Sequence, residues 1–399
     1  MNRRILALLG APAAALALAA VAPGSAGAAA PSAAHNHGTR VCALAGVPAG
    51  SAACDAVRLD DANGSPVNPL VTSSGGMTPA DIQAAYGLTG RASGGRTVAI
   101  VDAYGYPNAA SDLAVFRSRY ALPPCTVANG CLTIVDQNGG TSLPRYNKGW
   151  AQEQALDLDA VSSACPDCRI LLVQVSSASI ANLGAGVTTA ANRAGVVAIS
   201  NSYGSSGDLP DSSYGAAYNH PGIAVTASTG DNGYQGASYP ASSAYVTAVG
   251  GTTLRASTAA RGWVETAWSG SGSGCSTLNA APVGQTPAVT GCAKHAVADV
   301  SADADPNTGL VVYGPTNGGR SAWQQFGGTS LSSPIIASVY ALSGNTAGNA
   351  SSIPYAAAST AFNDVTSGTN GTCGAKLCTA GTGWDGPTGL GTPNGVAGL

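Results

Sequence analysis

The chain is 399 residues long, 45% hydrophobic and only 9% charged, with a net charge of −3. That length holds one large domain or two ordinary ones, and the weakly negative balance excludes a nucleic-acid partner, whose phosphates require a basic surface. The 54 glycines, with abundant Ser, Thr and Asn, point to tight turns, and the few ionisable side chains leave little charge to build up in an acidic medium.

The first 28 residues read as a signal peptide. Asn2-Arg3-Arg4 is a short basic start, Ile5 to Val21 is apolar, and Ala26-Gly27-Ala28 suits a small-residue cleavage site. Pro23 and Gly24 break the apolar run at its end and speak against a permanent anchor. No later stretch is apolar enough to span a membrane, so a secreted, extracellular protein is expected, free of membrane once the signal is removed. Residues 29–77 are rich in Ala, Gly, Ser and Pro and lack periodicity. They read as a short N-terminal segment in the place of a pro-region, stapled by Cys42 and Cys54, ahead of a main domain over 78–399.

Thr78-Pro79-Ala80-Asp81 opens that domain as an N-cap followed by proline at the first helical position, with a helix through Tyr86. Apolar runs and helical patterns then alternate. Strands are expected at Arg96–Val101, Arg169–Val175, Val196–Ser200, Ile223–Ala227 and Tyr245–Val249, and helices at Ala109–Tyr120, Gln152–Ser163 and around Ile180–Ala194. Continuous apolar strands between helices indicate an α/β fold with a mostly parallel central sheet buried on both faces. The ten cysteines fall into close neighbours, Cys42/Cys54, Cys125/Cys131, Cys165/Cys168, Cys275/Cys292 and Cys373/Cys378. In an exported chain an even count reads as disulfides. Sequence does not fix their connectivity; nearest-neighbour pairing is expected, since a short turn-rich segment separates each pair.

Three local patterns carry chemistry. Gly327-Gly328-Thr329-Ser330-Leu331-Ser332-Ser333-Pro334 resembles the nucleophile segment of subtilisin-like serine peptidases. A serine on a loop-to-helix turn exposes its hydroxyl beside the positive helix end, which suits a nucleophile whose adduct carries an oxyanion. The usual base is a histidine, yet none of His35, His37, His220 and His295 stands in a matching motif between an aspartate and the serine. Glu153 and Asp157, one helical turn apart, offer a substitute: like charges at that spacing repel, and burial among Trp150, Ala155, Leu156 and Leu158 raises at least one pKa. A glutamate so tuned takes the serine proton in acid, held by the aspartate. Asp159 points elsewhere on the helix. Asp231, in Ser228-Thr229-Gly230-Asp231-Asn232-Gly233, follows a strand where α/β proteins place their sites; kept protonated, it donates to an oxyanion.

Together these strings resemble the sedolisin family of serine-carboxyl peptidases. The likeness runs from about Thr78 to the C-terminus, through Tyr239-Pro240-Ala241, Tyr245–Thr252, Val300–Pro306 and Gly381–Asn394. It implies a subtilisin-like three-layer α/β sandwich and an acid-favouring endopeptidase acting on proteins or peptides as a monomer. Ser330 is then the nucleophile, Glu153 the general base and acid, Asp157 its orienting partner and Asp231 the oxyanion donor. It also implies one structural Ca2+ held by Asp364 and Asp385 with the carbonyls of Val365, Gly381 and Gly383, an oxygen-only shell suited to that ion. Two departures stand out. The family carries a long folded pro-domain, whereas only about fifty residues separate the expected cleavage site from Thr78, and Ser202-Tyr203-Gly204 occupies a place where many members have a tryptophan. The competing readings are a catalytically silent binding or structural module and a histidine-based subtilisin using Asp102.

Overall fold

The computed structural model describes Met1 and residues 36–71, 75–316, 318–345 and 347–399. The expected signal peptide (1–28) lies outside the described residues apart from Met1. His35–Leu399 forms one compact unit.

A twisted sheet organises that unit. From one edge its strands run Trp263–Ala267, Thr247–Ala256, Ala224–Ser228, Val196–Asn201, Thr97–Ala103, Arg169–Val175 and Leu132–Asp136, with Val300–Asp303 also paired to Thr247–Ala256. Every pairing is parallel except that of Trp263–Ala267, which is antiparallel. Side chains alternate across a strand, so each strand feeds two cores. Val98, Ile100, Ile170 and Leu172 pack with the helices Pro79–Ala85, Lys148–Ala164 and Thr329–Ser343. Ala99, Val101, Leu171 and Val173 pack against Ile180–Ala191 on the other face. Helix, sheet and helix make three layers, the α/β sandwich read from the sequence.

Local signals set most boundaries. Thr78 and Asp81 form a reciprocal capping box with Pro79 at the first helical position, and Asn147 caps Lys148–Ala164 by accepting from the Trp150 amide. Thr247–Ala256 runs seven residues beyond the expected end at Val249. Gly250 and Gly251 suggest a turn, but here they give way to packing: a Cβ on Gly250 would lie 2.4 Å from the Pro387 carbonyl oxygen, and one on Gly251 2.5 Å from Ala304 Cβ. All five disulfides join nearest neighbours. Cys165–Cys168 is among them, so its thiols are not free for redox or metal chemistry.

Residues 37–60 are structured throughout much of their length. His37–Arg40 and Val57–Asp60 join Ser321–Gly327 and Leu310–Pro315 in a second, antiparallel sheet, while Ala52–Cys54 pairs antiparallel with Tyr203–Ser205.

Candidate active site

Strand ends and one helix start bring the site together. Asp102 closes Thr97–Ala103, Ser202 follows Val196–Asn201, and Asp231 follows Ala224–Ser228, all at carboxyl ends of parallel strands. Facing them, Thr329–Ser343 starts after Gly328, whose φ of 91° a residue with a Cβ rarely adopts. The helix contains Pro334, which has no N–H for the carbonyl of Ser330 four residues earlier. That carbonyl accepts instead from Ser202 Oγ at 3.3 Å.

Ser330, Glu153 and Asp157 are fully buried. Ser330 Oγ donates to the Ser202 carbonyl at 3.3 Å and lies against Glu153. Asp157 Oδ1 accepts from Ser202 Oγ at 2.8 Å, so Ser202 links the second carboxylate to the serine's own backbone. Asp231 is fixed by the helix start: its Oδ1 accepts from the Thr329 amide and from Thr329 Oγ1, both at 2.8 Å. The four expected catalytic residues therefore stand in one cluster. Asp159 is buried but turned away, its Oδ2 accepting from the Tyr313 amide.

Three further ionisable residues join the cluster. Asp102 lies beside Asp157, with both its oxygens unpaired. A carboxylate ending an apolar strand is the sequence signal for it, although that signal alone suggests a subtilisin aspartate. Arg40 and Asp55 reach in from the N-terminal segment, flanking the Cys42–Cys54 pair. Asp55 Oδ1 accepts from Arg40 Nη2 at 2.9 Å and its Oδ2 from Ser228 Oγ at 2.7 Å, while Arg40 Nη1 stands 3.4 Å from Asp231 Oδ2. No local pattern announces either residue.

The electrostatics follow from burying several carboxyl groups with one cation. Burial, then the charges of Asp157 and Asp102, hold Glu153 well above the usual carboxylate range against the opposing Ser330 hydroxyl. Burial and Asp102 raise Asp157 likewise, against its bond from Ser202. Burial takes Asp102 up to about 8. Asp231 is pushed up to about 7 by burial and the Asp55 charge, with Arg40 and the Thr329 donors opposing. Such a set holds protons into the neutral range, as general acids and hydrogen-bond donors require. The described histidines are engaged elsewhere or exposed: His220 Nε2 bonds the Ala217 carbonyl, His295 Nε2 faces Asp299 at 3.3 Å, and His37 is exposed on its strand.

Beside Asp55 and the Asp231 loop runs a cleft of about 270 Å3, lined by small residues including Gly204, Ser205, Gly230, Gly233 and Ser238. Near the C-terminus, Asp385 Oδ2 accepts from the Gly381 amide and Asp364 Oδ2 from the Gly383 amide, both at 3.0 Å. The two carboxyls sense one another. Among the described residues the carbonyls of Val365, Gly381 and Gly383 accept no backbone bond outside regular elements. Two carboxylates folded into one loop with carbonyls left over fit a hard cation.

Fold and site define a subtilisin-like α/β protein in which carboxyl groups, with no imidazole beside them among the described residues, surround a serine at a helix start. No protein-family model matches the chain. It is 30% identical over 366 residues to kumamolisin of Bacillus sp. (strain MN-32), a match covering 80% of this chain and 62% of that protein. It is 37% identical over 172 residues to sedolisin of Pseudomonas sp. (strain 101), covering 39% of this chain and 28% of the relative. The chain thus spans less than two thirds of either curated relative. Pseudomonas sedolisin, a serine-carboxyl proteinase solved with two molecules of pseudo-iodotyrostatin, superposes with a TM-score of 0.67 at 26% identity, over 81% of this chain and 96% of that one. The chain belongs to the sedolisin family.

Proposed function

We propose that the protein is a secreted, monomeric serine-carboxyl endopeptidase that hydrolyses proteins or peptides through an acyl-enzyme and favours acid. Ser330 is the nucleophile, Glu153 its general base and then acid, Asp157 the group that orients Glu153, and Asp231 the oxyanion donor. The observation that carries this reading is the gathering of these four side chains at one helix start. The helix-terminal amide of Ser330 and a protonated Asp231 both favour charge developing on a substrate carbonyl. A Ca2+ ion held by Asp364, Asp385 and the carbonyls of Val365, Gly381 and Gly383 supplies a clamp on the C-terminal loops, away from the chemistry. The main domain is taken as 78–399, with 1–28 the signal peptide and 29–77 the short segment before it.

Full burial of Ser330 and Glu153 favours a second reading, a catalytically silent extracellular binding or structural protein. One comparison separates the two. Purified wild type, Ser330→Ala and Glu153→Gln are incubated with a denatured protein between pH 3 and pH 8 (about the range over which carboxyls titrate). Acid-favoured hydrolysis by wild type, lost in both folded variants, is expected; wild-type turnover by either variant ends the assignment.

A further inference from the structure

His295 is the one fully buried imidazole among the described residues. Its Nε2 stands 3.3 Å from both oxygens of Asp299, itself fully buried, while its Nδ1 has no hydrogen-bond partner. The other groups that meet the Asp299 carboxyl are neutral: the Ala248 amide, Gln285 Nε2 and the Tyr355 hydroxyl. Among the described residues the cation that pairs with Asp299 is this ring. The carboxylate therefore has a counter-charge only while the ring holds its second proton.

The pair stands behind one wall of the cleft beside Asp231. The His295 carbonyl accepts from the Ser276 amide at 2.7 Å, and Ser276 Oγ donates to Asp208, the neighbour of Gly207 in the cleft lining. Ala296 and Val297 pair antiparallel with Cys275 and Gly274. The carbonyl of Ser273, just ahead of them, accepts from the amide of Gly236, another lining residue. In the other direction Asp299 clasps Ala248 of the central sheet twice, its amide donating at 2.8 Å and its Oδ2 accepting at 2.7 Å. Its carbonyl accepts from the Leu390 amide at 2.8 Å. The ion pair thus joins the sheet to the loops that form the wall.

Going beyond the peptidase reading, we propose that His295 is a pH latch for this wall: with the ring charged the wall is held to the sheet, and with the ring neutral it loosens. Histidine is the side chain whose charge ordinarily changes between about pH 5 and pH 8. Burial by itself disfavours the charged ring. The Asp299 charge and hydrogen bond, with the Ser242 backbone and Asp211, outweigh it and hold the ring above its ordinary 6.5. The stabilisation is therefore whole below 6.5, where latched and loosened forms are both protonated, and is lost as pH rises through the latched ring's own value. Neutralising the ring leaves the Asp299 charge buried without a counter-charge, which is costly. The remaining groups around the pair are accounted for. Burial and Asp299 hold Tyr355 and Tyr340 protonated above the ordinary 10.0. Asp211 accepts from the Ala244 amide, and Lys294 donates to the Leu278 carbonyl at the surface.

The test uses the whole chain carrying Ser330→Ala, so that self-digestion cannot intrude and the outcome does not depend on the peptidase reading. The imidazole signals are titrated by NMR, with His295→Gln identifying the ring. Amide hydrogen exchange is followed alongside from about pH 5 to about pH 9, spanning the ring's change of charge, and corrected for the intrinsic effect of pH. The ring midpoint is expected above 6.5. The amides of Ala248, Ser276 and Leu390 are expected to lose protection by about tenfold for each unit of that excess, while those of Thr97–Ala103 keep theirs. His295→Gln is expected to exchange at the loosened rate at both ends of the range. A ring midpoint at or below 6.5 overturns the latch. So does protection that stays constant while the ring titrates, a loss shared equally by Thr97–Ala103, or an unchanged pH response in His295→Gln. Should that variant fail to fold, the titration and exchange of the parent chain decide alone.

Discussion

Two of the buried polar clusters among the described residues, around Asp299 and around Ser330, are built on opposite plans. Around Asp299 every carboxylate oxygen is met: Oδ2 takes the Ala248 amide at 2.7 Å, Oδ1 takes Gln285 Nε2 at 3.1 Å and the Tyr355 hydroxyl, and His295 faces both. Around Ser330, by contrast, both oxygens of Glu153 and of Asp102 lack a hydrogen-bond partner, as does one oxygen of Asp157, while Asp231 Oδ2 faces only Arg40 Nη1 at 3.4 Å. Buried polar groups are ordinarily satisfied, and the exceptions call for a reason. The first cluster holds loops together. The second keeps proton-binding positions open, at a standing cost in stability.

The sharpest way to break this contrast is to neutralise one carboxyl in each. Glu153→Gln is expected to lower kcat/KM by about 10²–10⁴, the usual worth of a general base, with urea-unfolding stability unchanged or higher. Asp299→Ala should do the reverse: it orphans several buried donors at about 1–3 kcal/mol each, so the urea midpoint falls while the folded fraction keeps its kcat. Equal effects on stability would erase the distinction.

Proton linkage gives the next largest effect. Asp102 and Asp231 hold their protons up to about 8 and about 7 in the folded state, but ionise near 4 when unfolded. The folded chain therefore binds more protons across that interval, and stability falls as pH rises, by about 1.4 kcal/mol per unit for each such group. Thermal unfolding should occur at a higher temperature near pH 4.5 than near pH 8 (values chosen to bracket about that interval), and Asp102→Asn should flatten the slope. A flat or opposite profile would show that the carboxylates are better solvated than their burial implies. The smallest effect expected is that of calcium. Chelation should lower Tm, with about 2.7 kcal/mol at stake when the ion stands at 100 times its Kd, and Asp385→Asn should remove the response without touching Asp299 or Glu153.

Much of this was legible in the sequence, and what was not has a physical cause. The parallel strands and the helix Lys148–Ala164 announce themselves by apolar periodicity, and Glu153, Asp157, Asp231 and Ser330 by local strings. The part played by residues 37–60 does not. Their strands are three or four residues long, too short for alternation to register, and their partners lie far along the chain at Tyr203–Ser205 and Ser321–Gly327. Arg40 and Asp55 belong to the site only through those pairings. Gly250 and Gly251 mislead for a related reason: glycine marks a turn locally, whereas here Gly250 admits the Pro387 backbone and Gly251 the Ala304 side chain.

The pairing of Val57 with Gly327 also bears on timing during synthesis. The ribosome makes Arg40 and Asp55 early and the Thr329–Ser343 helix late, so the hydroxyl and the strand that hides it come together in the same closing event. No half-made chain therefore carries the Ser330 hydroxyl before Arg40 and Asp55 exist. The burial of that hydroxyl is thus tied to the order in which the pieces are made.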